Sequence, residues 1–114
     1  MKIVEKNITT GELEKMSQKM FGNLVKAVID IEKRIIAVDA ELHSDEEAFL
    51  LENGSKQENL WGINIYPEFF GQIDFIEFDS MINLRPSRNN RSRGVDNQKV
   101  REKILEITNK LIIK

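Results

Sequence analysis

The 114-residue sequence has no cysteine, one histidine, one tryptophan and two prolines. The lack of cysteine excludes disulfide frameworks, thiolate zinc sites and cysteine nucleophiles. Because His43 is the only histidine, the sequence disfavours metal sites built on paired histidines and a Ser-His-Asp triad with a spare general base. No apolar run approaches the ~20 residues of a membrane span, and the first residues do not resemble a signal peptide. We therefore expect a soluble, cytoplasmic protein.

Length and composition indicate an ordinary globular protein. A chain of 114 residues fits one compact domain, because two domains would each bury too little apolar surface. The 40% apolar and 32% charged residues lie near globular averages, which disfavours disordered and fibrous classes. Neither a Walker loop nor a G-x-G-x-x-G run occurs. We predict a single domain over residues 1–114, with no cofactor.

Two capping-box patterns predict where helices begin. Thr9 is followed three residues later by Glu12, and apolar residues then recur at helical spacing, which predicts a helix over residues 10–21. Ser44 and Glu47 repeat the pattern. The three consecutive acidic residues there suit the positive end of a second helix.

Residues 24–42 fit two different structures. Their apolar residues step by three and four, as in a helix, but also alternate with polar ones, as in a β-hairpin. The density of β-branched residues favours the hairpin, with its turn at residues 32–34. Alternation predicts two further strands, over residues 61–65 and 76–84.

The C-terminal residues predict a third helix, capped by Asp96, with four apolar side chains on one face. The predicted element order is then α-β-β-α-β-β-α. This order predicts an α+β fold, in which two to three helices cover an antiparallel sheet of about four strands.

Charge is unevenly distributed along the chain. Residues 1–84 hold 16 acidic and 8 basic side chains, whereas residues 85–114 hold 3 acidic and 9 basic ones. Four of the six arginines lie within nine residues, while the rest of the chain prefers lysine. Arginine offers a planar fork of donors that matches carboxylate or phosphate oxygens. We therefore take residues 85–93, the arginine-rich segment, as the leading candidate site.

The arginine-rich segment predicts binding of an anionic group without catalysis. Phosphate, a nucleic-acid backbone or a carboxylate would fit arginines set among amide and hydroxyl groups before a helix. The alternative is that the arginines pair with acids of the same domain, such as Glu77 or Asp79, and only fix the loop. The segment has no aromatic residue, so nucleic-acid binding would be directed to the backbone and sensitive to salt. The predicted ligand-binding residues are Arg85, Arg88, Asn90, Arg91, Ser92 and Arg93.

A metal-dependent phosphoester hydrolase is an alternative function. Glu77 and Asp79 are two residues apart in a predicted strand, so their carboxylates point the same way, about 7 Å apart, and could hold a divalent cation. That function requires both of them in one cleft near Arg85. His43 could join neighbouring acids in a mixed site, but a position at the start of the second helix is the simpler interpretation. Since a solvated sheet face also carries such residues, we predict no catalytic or metal-binding residue.

A small homo-oligomeric interaction protein is the remaining alternative. Phe69 and Phe70 lie in a predicted hairpin loop, where they either fold back over the core or form a contact surface. A four-stranded sheet also has two edges to protect. The predicted partners are thus an anionic ligand or nucleic acid, and a second copy of the chain, but no membrane.

Four segments of the sequence are similar to one known group of proteins: residues 20–47, 60–67 (LWGINIYP), 79–83 (DSMIN) and 85–94 (RPSRNNRSRG). Through them the chain resembles a small family of uncharacterised prokaryotic proteins, and the resemblance covers most of its length. It implies no activity, ligand or catalytic residue.

Overall fold

A five-stranded sheet forms the centre of the molecule, and every pairing in it is antiparallel. A computed structural model describes residues 1–114. The elements are β1 (Lys2–Val4), β2 (Ile8–Thr9), α1 (Thr10–Lys19), β3 (Val25–Asp30), β4 (Ile35–Val38), α2 (His43–Glu52), β5 (Leu60–Ile65), β6 (Ile76–Glu77), α3 (Gln98–Leu111) and β7 (Ile112–Ile113). The strand order of the main sheet is β1-β4-β3-β5-β6, and a small parallel pair, β2 with β7, lies apart from it.

The α+β class is confirmed, and alternation along the strands explains its layers. One face of the sheet packs against α1 and α3, with Ala27, Ile29 and Ile63 in the same core as Leu13 and Ile104. The opposite face carries a smaller apolar cluster under α2, formed by Val28, Ala37, Leu50 and Leu60. The sheet has one strand more than predicted, because β1 pairs with β4. No helix is long and apolar enough for a membrane crossing.

The β3–β4 hairpin settles the ambiguity over residues 24–42 in favour of strands. Its turn contains no glycine or asparagine. Instead, Asp30 Oδ1 accepts hydrogen bonds from the backbone N–H groups of Glu32 and Lys33, both at 2.9 Å, and Arg34 adopts a φ of 58°. Ser55 Oγ donates to the other Asp30 oxygen at 2.6 Å. A buried aspartate thus supplies the turn chemistry that glycine usually provides.

Helix α1 begins as predicted, but the predicted caps of α2 and α3 are wrong. The reciprocal Thr9–Glu12 box is present. Helix α2 already begins at His43, so Ser44 lies within the first turn and makes no capping bond. Asn97, rather than Asp96, caps α3 by accepting from two backbone N–H groups of the first turn. Because the residue that caps depends on where the chain turns, the pattern located both helices to within a few residues only.

The predicted strand over residues 76–84 is wrong beyond Glu77. Strand β6 is only two residues long, and a 3₁₀ turn over Met81–Asn83 follows it. The Asn83 side chain takes the place of the missing strand, since its Oδ1 accepts from Gly62 N at 2.8 Å and its Nδ2 donates to Gly62 O at 2.9 Å. A side-chain amide has the same donor and acceptor as a peptide group, so it satisfies this stretch of β5.

Candidate functional site

The buried side chain of Asn90 shapes the arginine-rich segment. The Asn90 amide nitrogen donates to the carbonyls of Asn83 at 2.7 Å, Ser92 at 3.1 Å and Gly94 at 2.9 Å. Its oxygen accepts from Asp96 N at 2.8 Å. Because every one of these bonds is internal, Asn90 builds the loop and its own polar atoms are already occupied.

Arg85 is fixed against the edge of β5. Its guanidinium donates to Leu60 O and, through Nε, to Ile82 O at 3.1 Å. Nη2 lies 3.7 Å from Glu47 Oε2, and the guanidinium stacks 4.8 Å from the centre of the Trp61 ring. The side chain is 11% exposed, and burial lowers its pKa, while the charge of Glu47 opposes that shift. Arg85 thus satisfies a β5 carbonyl that β6 does not reach.

Arg88, three residues later, faces solvent. Its Nη1 lies 3.2 Å from Glu58 Oε2, and the two side chains are 60% and 51% exposed. Exposed pairs of this kind contribute ~0–1 kcal/mol to stability. Arg88 borders a cleft of about 360 Å³ at the uncovered end of β5, which we call the Arg88 cleft; other residues around it are Glu58, Asn59, Trp61, Arg85, Asn89 and Asn97.

The structure does not bring the six predicted site residues together. Arg85, Arg88 and Asn90 line the Arg88 cleft. Arg93 lines a different pocket, where its Nε lies 2.8 Å from Asp79 Oδ1. Arg91 N and Ser92 Oγ donate to the Asp96 carboxylate at 2.8 and 2.6 Å, and these bonds lower the pKa of Asp96.

Glu77 and Asp79 do not share a cleft with Arg85. Glu77 Oε1 accepts from Asn64 Nδ2 and from the Tyr66 hydroxyl, both at 2.9 Å. The two carboxylates line different pockets, neither of which includes Arg85. Burial, with Glu77 as hydrogen-bond partner, raises the pKa of Tyr66. No three acidic or histidine side chains are close enough together to hold a metal ion.

His43 and the phenylalanine pair are accounted for within the fold. His43 is the first residue of α2, as expected, and its Nε2 lies 2.8 Å from Ile63 O. Phe70 makes an edge-to-face contact with Phe75, at 5.3 Å between ring centres. Phe69 packs against the main core, so the loop folds back over the protein.

The sequence reasoning missed Trp61, Asn59 and Asn97 as neighbours of the arginines. The sequence predicts only a strand at Trp61, and its contact with Arg85 joins residues 24 positions apart. The sequence gives no sign of Asn97, because the neighbouring Asp96 is an equally good helix cap. The one available signal was the predicted strand-to-helix order, which places the start of α3 close behind the arginine-rich segment.

The chain belongs to a family of proteins of unknown function, DUF5674, whose family model matches residues 2–111. The match confirms the expected membership of an uncharacterised family. No curated protein and no solved structure matches the chain.

Proposed function

We propose that this member of DUF5674 is a non-enzymatic, cytoplasmic binding protein that holds an anionic group, phosphate or a nucleic-acid backbone, in the Arg88 cleft. One observation carries the proposal: an exposed arginine fork, side-chain amides and the start of a 14-residue helix surround one cleft of about 360 Å³. Guanidinium groups and helix N-termini both commonly bind phosphate in proteins.

The start of α3 supports an anion at this place. Asn97 caps the backbone N–H groups of Lys99 and Val100, so a ligand beside Asn97 meets the positive end of the helix dipole. Trp61 lines the cleft, and the Nε1–H of its indole ring is buried without a hydrogen-bond acceptor. A phosphate oxygen could supply that acceptor.

Glu58 is the internal competitor for Arg88. Since the Arg88–Glu58 pair is more than half exposed, an incoming anion can displace the carboxylate at little cost. Arg85 keeps its internal bonds and adds positive charge at the wall of the cleft. In this proposal, Arg88 binds the anion and Arg85 helps to position it.

Trp61 fluorescence tests the proposal, because it is the only tryptophan and it lines the cleft. The chain is titrated with inorganic phosphate, a nucleotide and short RNA and DNA strands, at several salt concentrations. Arg88→Ala is expected to weaken binding ~10-fold or more, the usual effect of losing a charge-assisted hydrogen bond. Glu58→Gln removes the competing carboxylate and is expected to tighten binding.

Arg91→Ala is the matched control, because it removes the same charge from the same segment at a residue that does not line the cleft. It is expected to leave affinity nearly unchanged. Equal losses of affinity in Arg88→Ala and Arg91→Ala would show that general charge attraction, and not a specific site, holds the anion. The absence of saturable binding of any of these probes would overturn the proposal.

A further inference from the structure

A second polar pocket lies on the α2 side of the sheet, away from the Arg88 cleft. It has a volume of about 190 Å³ and lies between α2, strands β3 and β5 and residues 79–82. The only histidine and two cationic side chains border it. The lining residues used below are Lys26, His43, Asn64, Asp79 and Arg93.

His43 lines this pocket and has one ring nitrogen with no hydrogen-bond partner in the chain. Its Nε2 lies 2.8 Å from Ile63 O, and a carbonyl only accepts, so Nε2 carries the hydrogen. Burial is the main cause that lowers the pKa of His43; the hydrogen bond with Ile63 O opposes it, and the charges of Lys26, Asp79 and Arg93 have smaller effects. The ring is then neutral at pH 7, and its Nδ1 is a lone-pair acceptor that makes no hydrogen bond within the chain.

Asn64 presents a second acceptor without a partner. The residue is only 7% exposed. Its Nδ2 donates to Glu77 Oε1 at 2.9 Å and to Asp79 O at 3.3 Å, and these two acceptors determine the orientation of the amide. Its Oδ1 is therefore buried with no hydrogen-bond donor. Buried side-chain oxygens nearly always have a donor, so this oxygen indicates a missing partner.

Lys26 supplies positive charge beside these two acceptors. It lies directly opposite Asn64 in the β3–β5 register, on the same face of the sheet. No carboxylate pairs with it, and its Nζ lies 4.9 Å from the centre of the Phe21 ring. Arg93 also borders the pocket but is paired with Asp79. The net free charge of the lining is thus positive and centred on Lys26.

We propose that this pocket binds a small carboxylate that carries a hydroxyl or ammonium group on the neighbouring carbon. Lys26 would hold the carboxylate, and the hydroxyl or ammonium group would donate to Asn64 Oδ1 and His43 Nδ1. The volume corresponds to about six water molecules, which limits the ligand to a few carbon atoms. This site does not depend on the Arg88 cleft.

The ring signals of His43 report binding directly, because no other histidine is present. They are followed by NMR while glycolate, lactate, glycine or serine is added, with acetate as the probe that lacks a donor. We expect a saturable shift with at least one hydroxy or amino acid, and at least ~10-fold weaker binding of acetate.

Substitutions at the half-buried Lys26 separate this site from the first. Lys26→Gln is expected to weaken binding ~10-fold or more, Lys26→Arg to retain most of it, and Arg88→Ala to leave it unchanged. A lack of saturable shift with all four acids would overturn the proposal, as would equal affinity for acetate. A loss caused by Arg88→Ala would also overturn it, because the signal would then come from the other cleft.

Discussion

Arg85 and Arg88 lie three residues apart and line the same cleft, yet their surroundings differ. Arg85 is 11% exposed and is held by two carbonyls, a carboxylate and an indole ring. Arg88 is 60% exposed and has one exposed carboxylate as partner. The difference arises at β5, whose first residues pair with β3 on one side but have no strand on the other, because β6 pairs only with Asn64 and Ile65. A high density of arginines therefore predicts a candidate segment only. Which of these arginines stabilises the fold depends on the backbone carbonyls that have no partner within the sheet.

The largest effect is expected at Asn83, whose buried side chain bonds the same edge of β5 as Arg85. Asn83→Ala leaves Gly62 N and O without partners and removes a bond to Arg93 O. The free energy of unfolding is expected to fall by about 3–4 kcal/mol. Urea unfolding measures it, with Asn109→Ala on the exposed side of α3 as a control near zero. A loss below about 1 kcal/mol would mean that water replaces the amide.

Arg85→Ala tests whether Arg85, unlike Arg88, stabilises the fold. The substitution leaves the buried Leu60 carbonyl without its hydrogen-bond donor and Glu47 without its cation. We expect about 2–3 kcal/mol of destabilisation, because a largely buried charged donor is lost. Equilibrium unfolding by circular dichroism is the measurement. If Arg85→Ala unfolds at the same urea concentration as Arg88→Ala, the two arginines are equivalent and the distinction is wrong.

Glu46 is a buried carboxyl group that stays protonated, in contrast to the charged side chain of Arg85. It is fully buried in α2 with no hydrogen-bond partner for either oxygen, and burial raises its pKa to about 10, against smaller lowering effects of the Ala40 backbone and of Lys26. The folded state therefore keeps a proton that the unfolded chain releases above pH ~4.5, so stability falls as pH rises between these values, by up to about 1.4 kcal/mol per pH unit.

Glu46→Gln removes that proton linkage. Its melting temperature is expected to exceed that of the unsubstituted chain at pH 8 and to approach it near pH 5, because the unfolded chain then begins to keep the Glu46 proton as well. Thermal unfolding across this range gives the answer. A constant difference between the two proteins at every pH would show that the carboxyl is not protonated in the fold.

The smallest stability effect is expected for Arg88→Ala, within about 0.5 kcal/mol, because its ion pair with Glu58 is exposed. Glu58→Ala is the matched change on the other side of the pair and is expected to be equally mild. Urea unfolding of both variants and the double variant measures the coupling. A coupling above about 1 kcal/mol would make Arg88 a structural residue like Arg85.

The fold followed from local patterns where local chemistry decides. The Thr9–Glu12 box predicts the start of α1, the β-branched residues predict β3 and β4, and the apolar stripe predicts α3; all four elements are present. The continuation of β6 to residue 84 failed, because alternation cannot reveal that the Asn83 side chain will occupy the edge of β5 instead.

The candidate site was predictable as a segment but not as an arrangement. Spacing alone could not show that Asn90 would be used up in the loop, or that Arg93 would face the pocket of His43 rather than that of Arg88. Those outcomes depend on contacts between residues far apart in the chain, which one sequence does not display.

Titration of phosphate and a short RNA strand, followed by Trp61 fluorescence in the unsubstituted chain and in Arg88→Ala, tests most directly whether Arg88 is free to bind while Arg85 is part of the fold. Saturable binding that falls at least ~10-fold in a variant of unchanged stability is the predicted result. Equal binding by the two proteins would contradict the account.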